Sequence, residues 1–427
     1  MNPARPRIAL YQPYPHSLAG LQTVVAQLAE TLPAQGYEPL IISPEEGAFT
    51  EAVRARQLAC LVCDPGTEWH VYGRGGKSWS YLLSPKRLFA LVRYWFKLRG
   101  ELRRNQIALL HCNDYRGVML AAPAARLAGI PVLWHMHGFV SSWPANLVAA
   151  ALVQWTVPVS HGMLDYLKFP RRLLGRHEVI HNGVAAVSGD GPSLSREPEA
   201  AVPVAEFPIV LAVGTLHPRK GYETLLRAFK RVSARMPQAE CWIAGGEFGD
   251  GSHGRQLREL AASLGLAERV LFLGHSAEVE HLMERCAVLA VPSRVEVFGL
   301  VALEAMRAGK PVVACRTGGL PEIITHRETG VLVAPDDAVQ MALALMEIIG
   351  NPRLAEKMGR AGRQRAQEEF SLEKMAAAFA ALYGRRLDGR IPASTSFTVP
   401  GFWKRRWWRR NRPAPARLQA WHRSTTS

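Results

Sequence analysis

The stretch Pro292–Glu322 reads PSRVEVFGLVALEAMRAGKPVVACRTGGLPE. Its centre predicts a helix with two readable ends. Val297, Phe298 and Gly299 mark the start, and Leu300, Val301, Leu303, Ala305 and Met306 give a mostly apolar body. Gly309 stands where a left-handed C-terminal cap belongs, with Pro311 just beyond. Pro311–Cys315 then reads as a buried strand. Two carboxylates break the apolar pattern: Glu296 before the helix and Glu304 inside it. A carboxylate in such surroundings is costly unless donors reach it. Sugar hydroxyls would supply those donors. Gly299 lets a ligand approach backbone N–H groups at the helix start, where the helix dipole favours an anion. Hydroxyl acceptors beside an anion site are what a nucleotide-sugar requires.

Glu296 and Glu304 form an E-x7-E pair inside PSxxExFGLxxLEAMxxGKPVVA, followed by Gly318-Gly319-Leu320-Pro321-Glu322. This pattern resembles the retaining, GT-B-fold glycosyltransferases of family 4. The resemblance covers about residues 5–387 and is strongest over about residues 208–333. It implies two Rossmann-like, doubly wound α/β domains facing across a cleft.

The 427 residues are enough for two or three domains with a core in each. Hydrophobic residues at 48% and charged residues at 21% describe a globular, soluble chain. The net charge of +16 is unevenly placed. Residues 401–427 carry eight cations and no acid, and residues 85–104 carry seven cations against Glu101. The remainder is nearly neutral, so any anionic partner is met locally. Of the six cysteines, Cys60 and Cys63 make a CxxC, but no second pair or histidine set completes a zinc site. They read as core thiols on a strand. No disulfide framework is expected, which points to a reducing cytosol. The N-terminus runs from MNPARPR into a short strand without a long apolar h-region. Leu147–Pro158 is too short to span a bilayer.

Arg7–Gln12 reads as the first strand. A loop with Pro13, Pro15 and Gly20 follows, then an amphipathic helix from about Leu21 to Leu32, the opening of a doubly wound domain. Further strands are expected at Pro39–Ile42, Leu58–Cys63, Ile107–His111, Val132–His137 and Thr156–Val159, with helical pattern between several, as at Arg116–Ala128. Residues 64–80 lack periodicity and read as a mobile loop near the acceptor. Over 85–104, Leu88, Leu91, Val92, Trp95, Leu98 and Leu102 share one helical face, with Lys86, Arg93, Lys97 and Arg104 opposite. The basic face suits anionic lipid headgroups or a phosphate-bearing acceptor. His137 ends the Val132 strand, at the carboxyl edge where parallel sheets bind ligands. His135 lies two residues earlier, on the same face but deeper. Residues 185–206 read as a linker.

The second half opens with strand Ile209–Val213, then Gly214-Thr215-Leu216-His217-Pro218-Arg219-Lys220-Gly221, then helix Tyr222–Ala234. Arg219 and Lys220 place two cations at a strand-to-helix loop, where they can neutralise a diphosphate. Strand Glu240–Ala244 ends in Gly245-Gly246-Glu247, Val270–Leu273 ends at Gly274-His275, and Val288–Val291 leads into the opening stretch. Helices are expected near Ala338–Ile349, Pro352–Glu369 and Ser371–Arg386. Residues 389–427 lose periodicity, and Phe402–Arg410 mixes Trp with Arg in the manner of an interfacial anchor.

The resemblance implies the following arrangement. Residues 1–184 form the acceptor domain, 207–370 the nucleotide-sugar domain, and 371–388 a helix crossing back to the first. Gly20 matches one of a pair of glycines facing the cleft. Arg219, Lys220 and the backbone of Phe298, Gly299 and Leu300 hold the diphosphate, with Gly214 and Gly245 beside the nucleotide and the His275 backbone near the base. Glu296 accepts from sugar hydroxyls and Glu304 from the ribose, while His137 lies at the reaction centre. No protein nucleophile is named. No metal or cofactor is expected, and Asp336-Asp337 reads as a solvated turn. The expected partners are a nucleoside-diphosphate sugar, a glycan or lipid-linked acceptor, and an anionic membrane surface met by the Arg/Trp tail and helix 85–104. The expected place is peripheral, on the inner face of the cytoplasmic membrane, in envelope polysaccharide, lipopolysaccharide or lipid-linked glycan synthesis. Alternatives are a glycogen- or disaccharide-type synthase, a GT-B nucleotide-sugar epimerase, and a non-catalytic protein that binds membrane or nucleic acid.

Overall fold

The computed structural model describes residues 5–16, 18, 20–70, 84–138, 143–167, 174–185, 207–276 and 278–387. Most of the 64–80 stretch, the interdomain linker and the basic tail lie outside these residues.

Two six-stranded parallel sheets build residues 5–387. The first holds β1 (Arg7–Tyr11), β2 (Glu38–Ser43), β3 (Cys60–Val62), β4 (Ile107–Asn113), β5 (Val132–Met136) and β6 (Trp155–Pro158). The second holds β7 (Ile209–Val213), β8 (Glu240–Ala244), β9 (Val270–Gly274), β10 (Val288–Val291), β11 (Val312–Cys315) and β12 (Gly330–Val333). Their orders are β3-β2-β1-β4-β5-β6 and β12-β11-β10-β7-β8-β9, one topology used twice. In each, the order reverses beside the first strand: Ile8 pairs with Pro39 on one side and Leu109 on the other. That reversal leaves a crevice at the carboxyl ends of the strands. Both faces of such a sheet are covered by helices, so the strands are apolar runs; all of β10 and β11 is buried.

The helices are α1 (Gly20–Thr31), α2 (Ala48–Ala55), α3 (Thr67–His70), α4 (Pro85–Arg104), α5 (Asp114–Ala128) and α6 (Trp143–Leu152) in the first half. The second half adds α7 (Tyr222–Arg235), α8 (Ser252–Ser263), α9 (Val279–Arg285), α10 (Leu300–Arg307), α11 (Leu320–Ile323), α12 (Ala338–Ile349), α13 (Pro352–Glu369) and α14 (Leu372–Leu387). Helix α14 packs into the core of the first half. Leu372, Met375, Phe379, Leu382 and Tyr383 are buried among Ile8, Leu10, Val25, Leu28 and Leu109. Tyr37 Oη donates to the Ala380 carbonyl at 3.1 Å.

Polar contacts join the halves. Ser160 Oγ donates to the Val297 carbonyl at 2.6 Å, and Tyr166 Oη lies 2.7 Å from Thr317 Oγ1. The Glu322 carboxylate accepts from the backbone N–H groups of His161 (3.0 Å) and Gly162 (2.7 Å) and lies 2.9 Å from His181 Nε2. Burial would raise this carboxyl, but His181 and the two N–H groups hold it below the usual carboxylate range.

Helix α4 spans Pro85–Arg104, but its buried side differs from the sequence pattern. Leu88 is 52% exposed, and Tyr94 is buried with Leu91, Leu98 and Leu102. The reason is a buried partner for a polar tip: Tyr94 Oη lies 2.8 Å from Tyr11 Oη. The outward side then shows Phe89 at 71% and Phe96 at 58% exposure among the cations. Asp336 lies in an exposed turn, as its sequence reads. There it also accepts from Arg294 Nε at 2.8 Å and Thr224 Oγ1 at 3.2 Å, contacts the sequence did not show. Asp337 caps α12, accepting from the N–H groups of Val339 and Gln340. The CxxC cysteines are free thiols, Cys60 half-buried and Cys63 buried. Among the described residues no His/Cys/Asp/Glu cluster could hold a metal, and no helix is long and apolar enough to cross a membrane.

Candidate functional site

The site in the second half is built by two loops, one after β7 and one after β10, on either side of the sheet's reversal point. The first makes a 3-10 turn over Pro218–Lys220, begun by His217, whose Nδ1 accepts from the Arg219 N–H at 3.0 Å. Gly221 ends that turn at φ 67° and starts α7. Its missing side chain matters, since a Cβ there would lie 2.2 Å from the Pro292 carbonyl oxygen. The two loops therefore touch backbone to backbone. Arg294 locks them together. Its N–H donates to the Arg219 carbonyl at 2.8 Å, and its guanidinium donates to the Pro218 carbonyl (2.7 Å), Glu223 (3.0 Å) and Asp336.

This contact brings Lys220 to Glu296. Lys220 Nζ donates to Glu296 Oε2 at 2.7 Å, and Ser293 Oγ donates to the same oxygen at 3.0 Å. Glu296 is 7% exposed. Burial alone would raise its carboxyl; Lys220, then Arg219, hold it below the usual range. The ion pair keeps a carboxylate ionised in a buried place, ready to accept from hydroxyls. The Arg219 side chain makes no ion pair among the described residues, so its charge is available to an anion. His217 is driven down to about 4 by burial and by the charge of Arg219, so it adds no cation near neutrality.

Gly299, at φ 107°, sets the start of α10. The N–H groups of Phe298, Gly299 and Leu300 have no partner among the described residues and sit at the positive end of the helix dipole. The Phe298 ring is committed to packing, stacked on His181 at 5.8 Å. Glu304 stands in the second turn of α10, half-buried. Burial raises its carboxyl above the usual range, and it has no hydrogen-bond donor among the described residues. Gly245 lies against the Gly214 carbonyl, and its N–H donates to the Gly274 carbonyl at 2.6 Å, next to His275. Gly20 opens α1, and a Cβ there would meet Leu300 Cδ1 at 3.0 Å. The first half thus reaches the start of α10 through Gly20.

His137 stands just past β5, half-buried, with His135 deeper. His137 Nε2 is 3.0 Å from His135 Nδ1. Burial drives the His137 imidazole down to about 3, so it is neutral at physiological pH. No hydrogen bond joins His137 to Lys220, Glu296 or Glu304. Beside it is Asp114, which the sequence did not single out. Asp114 has φ 62°, unusual for a side chain with a Cβ, and such strain clusters at functional positions. Burial raises its carboxyl; the Gly138 N–H and Tyr14 Oη donate to it. Ser293 and Arg294 were also missed as site residues, although they stand in the quoted stretch. The partners of Arg294 are Pro218, Glu223 and Asp336, all distant in sequence; Ser293 bonds to Glu296 only three residues on, a local signal that a lone serine in a loop does not announce.

Residues 196–365 match the model of the glycosyl transferases group 1 family, and residues 18–186 match that of glycosyltransferase family 4. The chain is 30% identical over 306 residues to a GDP-mannose-dependent alpha-(1-6)-phosphatidylinositol monomannoside mannosyltransferase of Mycobacterium tuberculosis, covering 66% of this chain and 77% of that one. The chain belongs to the family 4 glycosyltransferases. This glycosyltransferase is also 28% identical over 402 residues to a glycogen synthase of M. tuberculosis, across 86% of this chain and 92% of the relative. Among solved structures, a sucrose-phosphate synthase from Thermosynechococcus elongatus superposes with a TM-score of 0.69 at 25% identity, covering 90% of this chain and 100% of that one. The two-sheet architecture is GT-B.

Proposed function

We propose that the protein moves a sugar from a nucleoside-diphosphate sugar to an acceptor hydroxyl, with retention at the anomeric carbon, in the synthesis of an envelope polysaccharide, lipopolysaccharide or lipid-linked glycan. The observation that carries this reading is the buried Glu296 held ionised by Lys220, beside an Arg219 charge and α10 N–H groups that have no partner among the described residues. Cations and helix N–H groups suit a diphosphate. Glu296 and the donor-less Glu304 suit the hydroxyls of the sugar and the ribose. The neutral His137 and the strained Asp114 line the facing wall, where the acceptor would lie.

The lipid side of the reading rests on α4, whose exposed Phe89 and Phe96 stand among Lys86, Arg93 and Lys97. Aromatic rings set among cations suit an anionic membrane surface. The relative named for a phosphatidylinositol mannoside agrees with such an acceptor. The longer likeness to a glycogen synthase favours a second reading, a glycogen-type synthase.

A thermal-shift and saturation-transfer screen of UDP-, GDP- and ADP-sugars tests the first step. One clear binder is the expected result, and product analysis with that sugar then separates lipid-extractable product from glucan. No binding, with or without anionic vesicles, would overturn the reading. Flotation with anionic vesicles tests the surface: the wild type floats, and Phe89→Ser/Phe96→Ser in the full chain loses part of that binding.

A further inference from the structure

Three histidines descend from the cleft into the first half. His137 is outermost, His135 lies two residues back in β5, and His111 stands on the neighbouring strand β4. Their ring centroids are 3.8 Å apart for His137–His135 and 5.1 Å for His135–His111. Phe379 of α14 covers the inner two, at 4.8 Å from His135 and 4.9 Å from His111. Tyr383 Oη closes the column, 2.6 Å from His111 Nδ1. No carboxylate bonds to any of the three rings among the described residues. Burial keeps all three imidazoles neutral. The column carries no charge, so what it can transmit is the choice of tautomer.

A neutral imidazole has one N–H and one bare nitrogen. One hydrogen lies between His135 Nδ1 and His137 Nε2, at 3.0 Å. His135 Nε2 is fully buried and has no partner among the described residues. If His137 were the donor, His135 would accept at Nδ1 and carry its own proton on Nε2. That would leave an orphaned N–H in an apolar pocket, the costly and rare case. If His135 donates from Nδ1, its Nε2 is only a bare lone pair. His137 then accepts at Nε2 and carries its proton on Nδ1, the nitrogen without a partner among the described residues.

We infer that His135 is a positioning residue that fixes His137 as the Nδ1–H tautomer, so that His137 offers the cleft a hydrogen-bond donor for a substrate oxygen and no base. Both ring nitrogens of His137 are committed, one accepting from His135 and one protonated. His137 therefore has no lone pair to take a proton from an acceptor hydroxyl. The part played in catalysis rests on the sugar-transfer reading. The tautomer itself does not, because it follows from the free protein.

The test is two-dimensional NMR of ring nitrogens in the full chain labelled with 15N-histidine, without ligand. The 14 histidines are sorted by the signals lost in His137→Gln and His135→Asn. The expected spectrum shows Nδ1 protonated and Nε2 bare in both His135 and His137. A proton on Nε2 of either ring overturns the inference, and this wild-type result needs no variant to be active. In kinetics, His135→Phe removes the donor while keeping a ring in place. It is expected to lower kcat about tenfold, the value of one hydrogen bond, with KM for the nucleotide-sugar little changed. His135→Asn, whose amide N–H can take the place of Nδ1–H, is expected to recover most of the loss. Unchanged kcat in His135→Phe, or no recovery in a folded His135→Asn, would overturn the positioning role. Failure of every nucleotide-sugar to bind would strike the sugar-transfer reading and leave the tautomer standing.

Discussion

The two halves share one strand order and solve opposite electrostatic problems at the same place. At the reversal point of the second sheet, charge is buried and kept: Lys220 and Glu296 meet at 2.7 Å, and Lys220 holds the Glu296 carboxyl below the usual range. On the first sheet, charge is buried and removed: His111, His135 and His137 stack with aromatic rings and stay neutral. The difference shows that the fold supplies the crevice but not its chemistry. A charged wall fits a diphosphate, and a neutral wall of weak donors fits a sugar ring or an incoming hydroxyl.

The sharpest way to break this contrast is to remove one member of the charged pair. Lys220→Ala and Glu296→Ala are each expected to lower transfer at least about 100-fold while the far-UV spectrum stays native. Each also leaves a partner buried and unpaired, at a cost of about 3–5 kcal/mol in denaturant unfolding. Wild-type turnover in either variant would refute the assignment.

Glycine substitutions give a smaller effect and a direct comparison between halves. Gly221 and Gly129 have similar left-handed backbones, φ 67° and 75°. A Cβ at Gly221 meets the Pro292 carbonyl, whereas at Gly129 it meets nothing within 4 Å. Gly129→Ala is expected to cost about 1–2 kcal/mol and leave transfer unchanged. Gly221→Ala should cost more and displace Lys220, lowering kcat. Equal effects on stability and activity would show that the two loops yield easily.

Acid separates the halves last. Burial depresses the folded pKa of His111, to about 3, and of His135. Their contribution is therefore complete above the unfolded value of about 6.5 and is lost as pH falls from there through the folded value. Glu296 and Glu322 also have depressed values, but their contribution is complete above about 4.3 and falls only below it. Between those limits the slope of stability belongs mainly to the buried histidines, at up to about 1.4 kcal/mol per pH unit for each of His111 and His135. Half-buried His217, in the second half, adds less. Urea unfolding from pH 7.5 to 5 measures it, and His111→Phe/His135→Phe should flatten the slope.

The charged wall was legible in the sequence because its parts are local. Glu296 stands just before the helix start at Gly299, Arg219 and Lys220 sit at a fixed distance after Gly214, and strand and helix periods place both loops at one sheet edge. His137 and its deeper neighbour His135 were legible from strand alternation. The remainder of the column was not, because His111 and Tyr383 are 272 positions apart and meet only through packing. Arg294 with Asp336 is the same case: 42 residues separate them, so the exposed turn was legible and its ion pair was not. Strand β12 escaped because a glycine and three apolar residues carry too little pattern. The buried side of α4 was misjudged at Leu88, because a hydrogen bond to Tyr11 made Tyr94 the better core residue.

Helix α14 has a consequence for synthesis. Leu372, Phe379 and Tyr383 complete a core whose buried members outside this helix all lie before Val184. A ribosome moving at about 5–20 residues per second needs roughly 10–40 s to go from Val184 to that helix. Through that interval the first half lacks one helix of the layer that α1 and α2 begin. A segment made after the whole second sheet is thus the one that closes the first domain begun, so translation would finish the neutral wall only after the charged one is in place.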